Sequence, residues 1–213
     1  LTVDRDRGRE FESLINDTLQ PFFNRAISAK YPPGSTFKPL LSLIALQEKV
    51  ITPTERIRCT GGYSYKNSFW GCHSGGGRHN ATTAIQHSCN TYFYSVYRKL
   101  IDKDGFDAPE KGLSVMNEYL FELGLGNQLG IDIPNESSGL IPTADYYNDI
   151  YSFQEAEWRS TYIISNGIGQ GEMQLSTLQL AHMAAFIANK GFCFIPHVVK
   201  KINDSEDKIA RKF

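Results

Sequence analysis

Apolar residues along the chain gather into a few stretches of helical spacing, separated by polar stretches rich in glycine. From about residue 35 to 49, Leu40, Leu41, Leu43, Ile44 and Leu46 cover most of a helix circumference, which predicts a buried helix through the middle of the domain. Helical spacing returns over residues 82–101 and 113–123, and a shorter helix is expected over 7–19. A last helix is predicted over 176–189. Ser176 and Gln179 form a capping box there, Leu175 and Leu180 can staple the first turn, and Gly191 follows the end. Residues 51–80 carry six glycines among Tyr, Asn, Ser and His and read as a long irregular excursion, and 124–143 read as loop. No repeat, low-complexity tract or Pro/Ser linker divides the chain, so residues 1–213 are expected to form one unit.

Composition narrows the class without naming a function. With 41% hydrophobic residues, 21% charged and a net charge of -1, the 213 residues can bury a sizeable core, and no basic face points to a nucleic acid partner. No apolar run approaches the roughly 20 residues that cross a bilayer, and the first residues lack the apolar core of a signal peptide. Any targeting or anchoring segment is expected outside this sequence.

Chemistry enters with "YPPGSTFKPLL", which places Ser35 and Lys38 three residues apart. Pro39 belongs in a first helical turn, where its missing N–H costs nothing, so the helix should begin near Ser35. The Ser35 hydroxyl then sits at the positive end of the helix dipole, with Lys38 one turn on and within reach. A lysine whose proton affinity is lowered by burial can take the proton of a serine nucleophile. The same residues also fit an ordinary helix start, with Ser35 as a cap and Lys38 in solvent. In "QHSCNTYFYSVY", Ser88 and Asn90 can point the same way from a turn, one relaying a proton and the other holding a substrate carbonyl or the lysine amine. A helix cap followed by core aromatics is the ordinary alternative.

SxxK followed by SxN some fifty residues later resembles the serine transpeptidase and β-lactamase superfamily. "NRAISAKYPPGSTFKP", "SCNTYFY", "LGLGNQLGIDIPNESSGLIPT" and "ISNGIGQGEMQLSTLQLAHMAAFIANKG" are similar, in order, to the signatures of class B penicillin-binding proteins, most of all the elongation-type penicillin-binding protein 2 group. The resemblance implies a membrane-anchored peptidoglycan D,D-transpeptidase on the periplasmic face of the inner membrane. Its partners would be stem peptides, β-lactam antibiotics and membrane proteins of the elongation complex, including a glycosyltransferase. By the same analogy Ser35 attacks the D-Ala-D-Ala carbonyl, Lys38 accepts its proton, Ser88 and Asn90 assist proton return and positioning, and the Ser35 N–H is half of an oxyanion hole. No Lys-Thr-Gly or Lys-Ser-Gly occurs, and after His197 the chain runs into the charged "VVKKINDSEDKIARKF". In the family that strand follows this point. The chain therefore reads as a partial transpeptidase domain, impaired or inactive by itself. The expected fold is mainly α with a few short strands, the central part of the α+β serine transpeptidase/β-lactamase-like fold without most of its sheet. A transpeptidase-like scaffold without turnover is the rival reading. A class A β-lactamase fits less well, because no ExxxN element stands where deacylation would need it.

Two further constellations remain. "GIGQGE" does not fit GxGxxG and reads as a tight turn leading to the Ser176 helix. Cys59, Cys72, His73 and Cys89 are a suitable donor set for a structural zinc ion, with His79 as the competing fourth ligand. The resemblance implies a zinc site at this place, since some elongation-type relatives carry one beside the triplet. A Cys59–Cys72 disulfide with Cys89 buried, or three unlinked thiols, are the alternatives.

Overall fold

The computed structural model describes residues 7–152 and 157–200 and the backbone of 210–212. Seven α-helices appear among them: α1 (Arg7–Ile15), α2 (Lys38–Gln47), α3 (Ala81–Gln86), α4 (Asn90–Ile101), α5 (Pro109–Glu122), α6 (Ala144–Ile150) and α7 (Thr177–Ala188). Six short strands, β1 (Ile57–Cys59), β2 (Gly62–Tyr65), β3 (Ser68–Gly71), β4 (Gly77–His79), β5 (Phe192–Phe194) and β6 (Ala210–Lys212), pair antiparallel as β1–β4, β2–β3 and β5–β6. Of the charged tail, 201–209 and 213 lie outside the described residues.

The centre of the core is α4 rather than α2. Tyr92, Phe93, Val96, Tyr97, Leu100 and Ile101 of α4 are all fully buried, and the helix packs against α2, α5, three of the strands of the 57–79 region and the 3₁₀ turn Ile164–Ile168. Helix α2 buries Leu40, Leu41, Ile44 and Ala45, but Leu43 on its other side is exposed. Its apolar circumference was therefore misleading as a sign of complete burial.

Three local outcomes set up the site. The stretch preceding α2 is a 3₁₀ turn, Gly34–Phe37, so α2 itself starts at Lys38, with Pro39 in its first turn where no N–H is missed. The helix expected over 82–101 is broken in two. Ser88 closes α3 with a left-handed backbone (φ 49°), while the Ser88 N–H bonds Ile85 and the Cys89 N–H bonds Ala84, a Schellman closure in which glycine is the usual residue. A non-glycine residue there carries about 1–2 kcal/mol of strain. The third concerns 51–80, which is not irregular. It folds as β2–β3 nested inside β1–β4, register Cys59 opposite Gly77 and Tyr63 opposite Trp70. Strand pairing was hidden because glycine and polar residues occupy most of the outward positions.

On α7 the expected capping box is present: Ser176 Oγ accepts the Gln179 N–H at 3.1 Å, and Gln179 Oε1 accepts the Ser176 N–H at 3.0 Å. No helix among the described residues is long and apolar enough to cross a membrane.

Candidate active site

Lys38 is 1% exposed, an unusual place for a lysine, and its amine lies where three segments meet. Lys38 Nζ is 2.6 Å from Asn90 Oδ1, 2.9 Å from the Ser88 carbonyl and 2.9 Å from Ser88 Oγ, with the Phe93 ring 5.5 Å away. Ser88 Oγ in turn donates to Ser35 Oγ at 2.8 Å. Ser35 and Ser88 open to solvent, whereas the lysine lies behind them. Ser35 does not cap a helix and Lys38 does not reach solvent, so the ordinary reading of the motif fails.

The partners around Nζ say what the amine is prepared to do. Two are carbonyl oxygens, which accept only, and they take the two protons of a neutral amine. The third is a hydroxyl, which can donate to the remaining lone pair. Burial lowers the proton affinity of Lys38, although the nearby Cys72 and Cys89 pull it partly back. In the neutral state the route runs from Ser35 through Ser88 Oγ to Nζ. Once Nζ is protonated, the same bonds run in reverse. Lysine was expected to face Ser35 directly, but the bonds run through Ser88. The missed signal was Ser88 in a helix-closing position, where its backbone is left-handed and its hydroxyl meets Ser35.

Behind the triplet, Cys89 points away from Ser35 into a buried group of three thiols. Cys59, Cys72 and Cys89 place their sulfurs within 4.8 Å of one another, with Cys72 Sγ to Cys89 Sγ at 3.8 Å. Cys59 Sγ lies 3.1 Å from Thr91 Oγ1, and Cys72 Sγ lies 3.2 Å from Ser74 Oγ and accepts the Asn90 N–H at 3.1 Å. Burial raises the Cys72 thiol, but hydrogen bonds from Ser74 and Thr91 outweigh it and hold the thiol below its ordinary range; burial pushes Cys89 up. His73, next to the buried Cys72, is exposed and is not among the clustered donors. His79 is buried on the same face of the β1–β4 ladder as Cys59, and its Nε2 lies 3.0 Å from the Gly76 carbonyl. All four cysteines are free thiols, and no Cys59–Cys72 bond is made.

Comparison with known proteins now bears on this geometry. The family described as penicillin binding protein transpeptidase domain matches residues 4–212. The chain belongs to that family. Among the relatives, the peptidoglycan D,D-transpeptidase MrdA of Acinetobacter baumannii is 33% identical over 208 residues, 95% of this chain and 29% of the relative. The structure of Pseudomonas aeruginosa PBP2 in complex with WCK 5153 is 30% identical with a TM-score of 0.77, covering 96% of this chain and 45% of that one. The complex of PBP2 and MreC from Helicobacter pylori gives 26% identity and a TM-score of 0.78, covering 94% and 35%. The chain thus spans about a third of the length of the curated relatives it matches. These solved relatives fit the expectation of a partial serine transpeptidase fold, mainly helical with few strands.

Proposed function

We propose that this chain carries the acylation centre of a peptidoglycan D,D-transpeptidase, with Ser35 as nucleophile. The observation that supports the reading most is the unbroken series Ser35 Oγ, Ser88 Oγ, Lys38 Nζ, Asn90 Oδ1, with bonds of 2.8, 2.9 and 2.6 Å and a buried amine in the middle. As Ser35 Oγ bonds to the carbonyl carbon of a D-Ala-D-Ala stem peptide, its proton passes to Ser88 Oγ and the Ser88 proton to Lys38. The C–N bond then breaks, and the terminal D-Ala leaves with the proton handed from Lys38 through Ser88 Oγ. An acceptor amine then bonds to the acyl carbon, the C–Oγ ester bond breaks, and the amine's proton returns by way of Lys38 and Ser88 to Ser35 Oγ, completing the cross-link. A β-lactam carbonyl meets the same hydroxyl. The parent protein acts from the membrane on its periplasmic side, among partners of the kind that the MreC complex of a relative exemplifies.

The test is labelling of the complete parent protein with a fluorescent penicillin, followed by peptide mapping. The adduct is expected on Ser35 and lost in Ser35→Ala; an adduct on another residue overturns the assignment. The 213-residue chain, which has no Lys-Thr-Gly triplet, is expected to label about 100- to 1000-fold more slowly, the usual effect of one lost oxyanion donor.

The same proposal includes a structural zinc ion that Cys59, Cys72 and Cys89 would hold, with His79, whose ring lies outside the sulfur cluster, as the candidate fourth ligand. A tetrahedral zinc–sulfur centre places its sulfurs about 3.8 Å apart, the Cys72–Cys89 spacing, and an N–H directed at a thiolate is present from Asn90. A bound zinc would supply cross-linking rather than reactivity: Cys59 and Cys72 bracket the hairpins, and Cys89 is inside the triplet. Protein purified without chelator is expected to hold about one zinc per chain by the ligand count, and Cys72→Ser to lose it. Metal-free protein with undiminished acylation overturns this part.

A further inference from the structure

The "GIGQGE" turn takes no part in the reaction described above, yet it touches the residue preceding the nucleophile. The Gly34 N–H donates to the Gly169 carbonyl at 2.7 Å, and the paired N–H and C=O groups of Tyr31 and Leu175 close a bridge beside it at 2.8 Å each. The approach is so close that a Cβ on Gly169 would stand 2.1 Å from the Gly34 carbonyl oxygen, and Gly169 holds a left-handed backbone (φ 69°) that favours glycine. Gly34 is also left-handed (φ 58°). The turn carrying Ser35 is therefore laid backbone to backbone on a second turn more than 130 residues later.

That second turn is fixed from below by buried side chains. Asn166, 1% exposed, accepts the Gly169 N–H on its main-chain carbonyl at 3.0 Å, while its side chain donates from Nδ2 to Tyr147 Oη at 2.6 Å. Tyr147, fully buried, donates to Glu172 Oε2 at 3.0 Å, on the far side of the same turn. The series spans the turn like a brace: Asn166 holds its start and Glu172 its end, and Tyr147 of α6 joins them. Buried polar groups of this kind are retained in fixed geometry because an unpaired partner is costly.

We propose that Gly169 and the Asn166–Tyr147–Glu172 brace are positioning elements for acylation, acting on the direction of the Ser35 hydroxyl and N–H through Gly34. This inference rests on Ser35 being the acylated residue. None of the three side chains is given a contact with substrate. Their effect should lie in the acylation step rather than in the encounter with the β-lactam.

The experiment is stopped-flow acylation of the complete parent protein by a reporter penicillin, resolving the pre-covalent dissociation constant from the first-order acylation constant. The labelling stoichiometry is read alongside. Misfolding lowers the fraction of protein that labels, whereas mispositioning lowers the rate constant of the fraction that does. Gly169→Ala is expected to reduce the acylation constant about 100-fold, the usual effect of an ångström of displacement, with the dissociation constant within twofold. Tyr147→Phe, which removes one oxygen and keeps the ring, is expected to reduce it about tenfold at full stoichiometry. Should Gly169→Ala fail to fold, Tyr147→Phe decides alone. An acylation constant within twofold of wild type in Tyr147→Phe, or a change confined to the dissociation constant, overturns the proposal. A wild-type protein that does not label at Ser35 overturns instead the reading on which it rests.

Discussion

Two turns converge on Lys38, and they are held in different ways. The turn before Ser35 is secured by main-chain bonds to Gly169 and by glycine at both points of closest approach. The turn at Ser88 uses a strained serine where glycine is usual, and behind it lie thiols, with the Asn90 N–H bonded to Cys72 Sγ. A main-chain clamp is indifferent to metal and oxidant. A thiol clamp is not. Ser35 is thus placed by parts that solution conditions do not alter, whereas Ser88 is placed by parts that they do.

The largest expected effect concerns the group between the two turns. Lys38→Met should lower acylation by on the order of 10⁴ or more, as loss of a base acting in concert with its nucleophile does, and should raise the melting temperature, because a buried group that resists its charge is replaced by an apolar one. Retained acylation in that variant would break the relay described here. Next, chelation or Cys72→Ser should slow acylation about 10- to 100-fold, as loss of ligand support does. Tyr147→Phe should leave the metal content at the wild-type value. Metal analysis of the two variants side by side separates the two clamps, and zinc lost from both would merge them.

pH sharpens the comparison further. Burial holds Lys38 below its ordinary 10.5, so the unfolded chain binds the extra proton between the folded and unfolded values. Stability therefore rises with pH through that window, and the cost of the lysine is complete below its folded value. The gain in unfolding free energy of Lys38→Met over wild type should shrink as pH rises toward about 10, read from urea midpoints. Acylation by wild type should rise with pH as the amine loses its proton. The smallest effect is Thr91→Val, which removes the hydroxyl beside Cys59 Sγ. It should cost about 1 kcal/mol of stability in urea unfolding with little change in acylation.

Much of the site was legible in the sequence because its signals are local. Ser35 and Lys38 share a helix start, Ser88 and Asn90 a turn, and capping chemistry fixed the limits of α7. The strands of 57–79 were not legible, since their alternation is too short and too polar to register as a period. Helix α6 was missed for a related reason: Ala144–Ile150 is seven residues with one buried side chain, Tyr147, and its Thr143 cap sits in a stretch that otherwise reads as loop.

By itself the sequence determined which groups could react: a serine, a lysine, a hydroxyl and amide pair, and three thiols. Distance between segments was not in it. Only the tertiary structure decided that Lys38 reaches Ser35 by way of Ser88, that Cys72 Sγ lies 3.8 Å from Cys89 Sγ, that His73 faces solvent, and that the turn of "GIGQGE" lies under Gly34. The physical reason is the same in each case. Side-chain chemistry is a property of one residue and its near neighbours, whereas burial, proton affinity and approach within 3 Å depend on which segments the core brings together.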